Sequence, residues 1–294
     1  MKKYKAICPL IGFQIPWNVL TGHADLSREE TKAIFEKQRE RVVEGINLLK
    51  GVKIRLASKE DLADLNTICF DPFGPREKYS PNTFVMVKHY EGRMNPEHEQ
   101  IMRNTVLALR LLKRGYVSSG HIFHILLTKN RVALTSIGER RPRRFVYNYG
   151  LEFKEIKELR RILKKLQAVD FTKRRSLGLA CRRFQRAYEE EDWEDRLIDF
   201  MIALEALFLR GERRGSSHGR IIAVACSCLL GENEENRNII KKNLTDAYGI
   251  RNKIVHGSYH MLSPRREEDH TDFPSDIVSD VEDYLRESIR KFLD

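Results

Sequence analysis

The chain lacks a hydrophobic run long enough to cross a bilayer: its longest apolar stretch, Ile221 to Leu230, is about half the length a membrane helix needs. It also lacks a clean leader, because the Lys2-Lys3 start runs into Cys8, Pro9, Gln14 and Pro16. A cytoplasmic protein with no membrane partner is expected. Cysteine is scarce. Cys8, Cys69, Cys181, Cys226 and Cys228 form an odd set without a CxxC pair, which argues against a disulfide framework, and buried free thiols are expected. There is no Walker loop, no dinucleotide fingerprint and no GxSxG elbow. His256 and His260 have the spacing of a helical metal pair, but Gly257 between them should end the helix, so neither a metal site nor a cofactor is expected.

What the chain has in quantity is charge. Asp, Glu, Lys and Arg make up 32% of its residues, and the formal net charge is +11. The excess is one-sided: residues 1–170 hold 32 Lys and Arg against 19 Asp and Glu, whereas residues 171–294 hold 21 against 23. A polyanion such as RNA would be drawn mainly to the N-terminal part, with an affinity that falls as salt rises. The same distribution fits a solvated surface without a partner. An apolar content of 41% is enough for ordinary cores, and the length suits two domains or one large one.

Periodicity supplies the elements. Lys5–Ile15, Lys53–Ala57 and Phe84–His89 read as strands, and Ser27–Lys50 reads as a helix with Ser27 as N-cap and Glu30 closing a capping box. Asp71-Pro-Phe-Gly-Pro-Arg76 and Ser80-Pro81 mark loops. Helices follow over about Glu97–Lys113, Phe153–Ala168 and Leu177–Glu190, with short strands near Ile122–Leu127 and Phe145–Tyr149. The expected architecture is mainly α. Residues 1–95 form a small α/β region, 96–170 a mixed, mainly helical connecting region, and 171–294 a helical bundle.

The most informative segment is Arg251-Asn-Lys-Ile-Val-His-Gly257. Ile240, Leu244, Ala247, Tyr248, Ile254 and Val255 recur at helical spacing, and Gly257 is suited to a left-handed helix stop. His256 then sits in the last turn, where the unpaired carbonyls and the negative end of the helix dipole favour positive charge, and Asn252 projects from the same face. Arg251 lies about 140° around the helix from His256, so its guanidinium must curl back or act across another helix. Upstream, Glu205 shares a stripe with Ile198, Ile202 and Leu209, beside the apolar stripe Leu197, Met201, Leu204 and Phe208. A carboxylate there needs a cation, and Arg251 and Arg220 are the candidates. Such a pair would lock the bundle, or hold an arginine toward a phosphate, or both. Asp199 reads as a surface or helix-contact residue.

The order Arg196-Leu-Ile-Asp-Phe-Met-Ile-Ala-Leu-Glu-Ala-Leu-Phe208, an apolar segment opening at Arg220, then Tyr248-Gly-Ile-Arg-Asn-Lys-Ile-Val-His-Gly257 resembles the HEPN superfamily, and within it the ApeA-like group. Val106–Gly115 and Leu177–Tyr188 are also similar, so the resemblance covers roughly residues 100–294. It implies a C-terminal HEPN-like bundle and a metal-independent endoribonuclease whose R-x4-6-H motifs meet across a two-fold homodimer, leaving 2′,3′-cyclic phosphate and 5′-hydroxyl ends. The chemistry is sound without a metal, because the RNA 2′-hydroxyl is a built-in nucleophile and needs only a base, an acid and a cation. Carried over, His256 is the acid/base, Arg251 the phosphate stabiliser and Asn252 an orienting partner; Glu205 and Arg220 are supporting candidates from the stripe alone. Roles in defence or toxin-type RNA restriction fit such families. The alternative is a non-catalytic module that holds RNA or a nucleotide, or a regulatory scaffold.

Arg140, Arg141, Arg143 and Arg144, followed by Phe145, Tyr147 and Tyr149, set cations beside alternating aromatics, a pattern able to grip phosphates and stack bases, or simply the buried face of a strand. Arg213–Gly219 reads as a loop.

Overall fold

The alternation at the start of the chain becomes the middle of a sheet. The computed structural model describes residues 2–15, 40, 43–68, 79–93, 95–127, 133–135, 149–209, 217–257 and 273–294. The chain is mainly α and divides into two compact units after Gln167.

In the first unit, β1 (Lys3–Ile11) pairs antiparallel with β5 (Phe84–Glu91) on one side, and with β6 (Ser118–Ser119) and β7 (Phe123–Leu126) on the other. β3 (Ile46–Asn47) and β4 (Val52–Leu56) extend the sheet beyond β5, and β8 (Ala133–Thr135) extends it beyond β7. β2 (Phe13–Gln14) pairs in parallel with β9 (Tyr149–Gly150). Side chains alternate between faces, so Ile7, Val85, Val87, Phe123 and Ile125 form one apolar layer, which Leu65 of helix α1 (Lys59–Ile68) completes. Helix α2 (Pro96–Leu112) serves the other face: its His98 ring lies 4.0 Å from that of Tyr90, and its Glu99 is 3.3 Å from Nε2 of His124. A 3-10 turn, Phe153–Glu155, leads into α3 (Ile156–Ala168), which buries Leu159, Ile162, Leu163 and Leu166.

One charged cluster is built into this unit. Ser58 caps α1: its Oγ accepts from the Asp61 amide at 3.1 Å, and the Asp61 carboxylate accepts from the Ser58 amide at 2.8 Å. Lys5, on β1 and only 4% exposed, donates to Asp61 at 3.1 Å and to Asp64 at 2.7 Å, and Arg55 also binds Asp61.

Several expectations need correction. Most of the helix expected over Ser27–Lys50 lies outside the described residues, and it does not reach Lys50, because Ile46–Asn47 is a strand and Leu48 donates back to Val52 at 2.8 Å to close a hairpin. Residues 96–167 are not a connecting region. The described residues of this stretch belong to the first unit, because the free edge of β1 takes β6 and β7, and Tyr149 donates from its hydroxyl to the Leu109 carbonyl at 2.8 Å. Cys228 is exposed, although Cys8, Cys181 and Cys226 are buried free thiols; Cys69 lies outside the described residues.

The second unit is built from α4 (Arg175–Ala187), α5 (Trp193–Phe208), α6 (His218–Leu230), α7 (Glu234–Val255) and α8 (Phe273–Leu293). α5 buries Leu197, Phe200, Met201, Leu204 and Leu207 against its neighbours. Asp199 proves a helix-contact residue, buried and paired with Arg183 at 2.7 Å and Arg186 at 3.5 Å on α4. Across the bundle, Tyr188 donates to Glu282 at 2.6 Å, and Arg286, buried among them, binds the same carboxylate. α6 and α7 form a tight helical hairpin.

Candidate functional site

α7 carries the motif, and its ends are set locally. Asn233 caps it by accepting from the Asn236 amide at 2.8 Å, and Glu234 and Glu235 meet the positive end of the dipole. At the other end, the His256 amide still donates to the Asn252 carbonyl at 3.0 Å, and Gly257 takes φ 67°, where a side chain would be strained. His256 is therefore the C-cap, and it is exposed.

Glu205 lies at the border of the α5 core and is 23% exposed, and the cation it meets is Arg251, whose NH2 lies 3.5 Å from its carboxylate. The other terminal nitrogen of Arg251 donates to Oδ1 of Asn252 at 3.1 Å. The guanidinium lies 5.7 Å from the centre of the Tyr248 ring, one turn earlier on α7. Burial pushes the Tyr248 hydroxyl above its ordinary value of 10.0 and the Glu205 charge adds to that, with Arg251 opposing. It therefore stays a proton donor through the neutral range.

Beside this cluster runs a groove of about 410 Å³. Its α7 wall is Thr245, Tyr248, Gly249 and Asn252, at spacings of three, one and three residues, and His256 is the next position in that series. Its α6 wall is the first turn, with Ser217, His218, Gly219 and Arg220. A helix leaves its first-turn amides unpaired, and Ser217 gives these no side-chain cap. Exposed Arg220 adds a cation at the rim. The whole offers donors and positive charge to an oxyanion.

The fold thus gathers Arg251, Asn252 and Glu205, puts Arg220 across the groove from Asn252, and leaves His256 one turn beyond on the same face. Arg220 is not the partner of Glu205 among the described residues. Tyr149 is corrected: it is fully buried, stacked on Phe13 with centroids 5.9 Å apart, and has no face for a base. Its strand pairs with β2, which turns the ring inward. Arg140, Arg141, Arg143, Arg144 and Tyr147 lie outside the described residues. His218 and Gly219 belong to a helix, not to a loop. Sequence reasoning missed Tyr248 as a polar residue of the site; its place three residues before Arg251 was the available signal.

No family model matches the chain, and no curated protein or solved structure gives a significant match. Among the described residues, no helix is long and apolar enough to cross a membrane.

Proposed function

We propose that the protein is a HEPN-type endoribonuclease, acting in the cytoplasm as a homodimer and serving RNA restriction in defence. It cleaves RNA by attack of the 2′-hydroxyl on the adjacent phosphate, with no metal ion or cofactor. The single observation that carries this reading is the state of Arg251: a guanidinium held by Glu205 and Asn252 beside a donor-rich groove, with an exposed histidine next in line on the same helix face. In the proposed step His256 moves the proton, and Arg251, with the groove's donors, stabilises the charge that builds on the phosphorane. The surplus cations of residues 1–170 supply long-range attraction for RNA.

The test is cleavage of end-labelled RNA in excess EDTA, followed by mapping of the ends. Cleavage leaving 2′,3′-cyclic phosphate and 5′-hydroxyl termini is expected; a strict metal requirement, or 3′-hydroxyl products, would overturn the mechanism.

The dimer rests on α6. An apolar helix is normally buried, yet α6 leaves Val224 38% exposed in line with exposed Cys228 four residues on, and Leu229 36% exposed beside that stripe, on a chain otherwise rich in charge. Pairing through that stripe would set both grooves along one interface, so that a site can draw on both chains. Val224→Glu is expected to shift the protein from dimer to monomer in light scattering. Mild oxidation should cross-link two wild-type chains through Cys228, and Cys228→Ser should prevent it. A monomeric wild type would exclude the shared site.

A second reading is favoured by one observation: both terminal nitrogens of Arg251 are already engaged. On that reading the cluster locks α5 to α7, and the groove binds RNA or a nucleotide without cutting it.

A further inference from the structure

We infer that the outer face of α3 is the surface on which an RNA backbone docks, with Lys157, Arg160, Arg161 and Lys164 as the cations that meet its phosphates. The choice of RNA rests on the ribonuclease reading; the binding of a phosphate backbone by this face does not.

The sequence of α3 divides the helix into two faces. At about 100° per residue, Leu159, Ile162, Leu163 and Leu166 gather on one side, where all four are buried. Lys157, Arg160, Arg161 and Lys164 fall within an arc of about 100° on the opposite side, span about 10 Å of axis, and are all exposed. The helix holds a single carboxylate, Glu158, and Arg161 takes it with two hydrogen bonds of 2.7 Å. Lys157 and Lys164 meet no carboxylate among the described residues. Lys157 has Arg160 and Arg161 as its helical neighbours, and both of these adjoin Lys164, so every such pair within the stripe joins like charges, which opposes the helix when nothing covers it. On α4 the outcome is different, because Arg183 and Arg186 are taken up by Asp199 and Glu190. Arg160 is also fixed in advance: it donates from Nε and NH2 to the Asn47 carbonyl of β3 at 3.0 and 2.6 Å, which holds its charge on the outer face. The occupant follows from which face is left open. A basic amphipathic helix that binds a membrane sinks its apolar face into the lipid boundary, and here that face is already inside the protein. What remains is a row of cations at helical spacing, which suits a polymer of phosphates held by charge and not by base.

The experiment uses the full chain and a fluorescein-labelled 2′-O-methyl oligonucleotide, which carries the RNA backbone but has no free hydroxyl to attack, with anisotropy read across a salt series. Lys157→Gln/Lys164→Gln is compared with Lys173→Gln/Lys241→Gln, which removes the same charge from other exposed positions. The first double variant should raise Kd about tenfold at about 0.1 M salt and flatten the slope of log Kd against log salt by about 1.4, which is about 0.7 for each lost phosphate contact. Its melting midpoint should stay or rise, because repelling charges are removed. The second double variant should keep Kd and slope close to wild type. An unchanged slope in the first variant, an equal change in the second, or no binding by the wild type at low salt overturns the inference. Retention of the wild type on phosphatidylserine vesicles, lost in the first variant and without oligonucleotide binding, also overturns it in favour of a membrane surface. The two readings fail separately. If the wild type binds with the expected slope yet cuts no RNA in EDTA, the ribonuclease reading falls and the docking face stands; if the wild type cuts RNA while the first variant keeps its slope, the docking face alone falls.

Discussion

His256→Ala is expected to lower RNA cleavage by about 10²–10⁴-fold, the usual worth of a positioned acid or base, while the melting curve stays in place. Stability is spared for a local reason. The imidazole is exposed at the C-cap, and the hydrogen bonds that end α7 there come from the amides of His256 and Gly257, which alanine leaves intact. Arg251→Ala should behave differently. On the ribonuclease reading it removes the charge that stabilises the phosphate, again about 10²–10³-fold in kcat, and it leaves Glu205 and Asn252 each short of a partner, so a loss of about 1 kcal/mol in stability accompanies it. The pair of variants separates the readings. A nuclease loses cleavage in both, a binding module loses only affinity, and a scaffold responds to Arg251→Ala through stability alone. Cleavage by His256→Ala at the wild-type rate would remove the residue from the chemistry.

The largest stability effect is expected far from the motif, at Lys5. Lys5→Met leaves the buried carboxylates of Asp61 and Asp64 without their shared ammonium, and losing one partner of a buried ion pair costs about 3–5 kcal/mol. In urea titrations the transition of the first unit should move accordingly. Lys3→Ala, whose ion pair with Glu91 is 3.7 Å long and exposed, should not move it. An unchanged midpoint in Lys5→Met would show that the cluster is not worth what its burial implies. The same cluster sets an acid limit. Burial alone would raise the Asp61 carboxyl, but hydrogen bonds from Arg55 and Ser58 and the Arg55 charge overcome it and bring the value from 3.8 down to about 2. A depressed carboxylate stabilises the fold above its ordinary pKa. That contribution, about 2 kcal/mol, is fully present above about pH 5 and drains away as pH falls through 2. Arg55→Met should narrow that acid loss.

Much of the local order was legible in the residues. The helical repeat of Ile240, Leu244 and Ala247 produced α7, and Gly257 ended it where a left-handed stop was expected, because both follow from backbone rules that operate within a few residues. The strand starting near Lys5, the strands near Lys53 and Phe84, and the helix after Pro96 came from the same source. That Glu205 needs a cation was also legible, since a carboxylate beside an apolar stripe is costly alone.

The choice of partner was not. Arg251 and Arg220 were equal in sequence, and only the packing of α5 against α7 gave Glu205 to Arg251 and left Arg220 exposed at the groove's rim. Tyr149 followed the same logic: its spacing along the chain left open a stacking face or a buried one, and the pairing of its strand with β2 made it core. The contact of the Tyr248 ring with Gly219 was invisible because it joins α7 to α6. By itself, then, the sequence determined where the helices and strands run, how they cap, and how charge is divided along the chain, since period, cap and composition act at short range. The tertiary structure alone decided that Lys5 meets carboxylates 56 and 59 residues away, that β6, β7 and β8 join the first sheet, and that Glu205 and Asn252 hold Arg251. Those outcomes depend on strand register and helix crossing, which no spacing along the chain records.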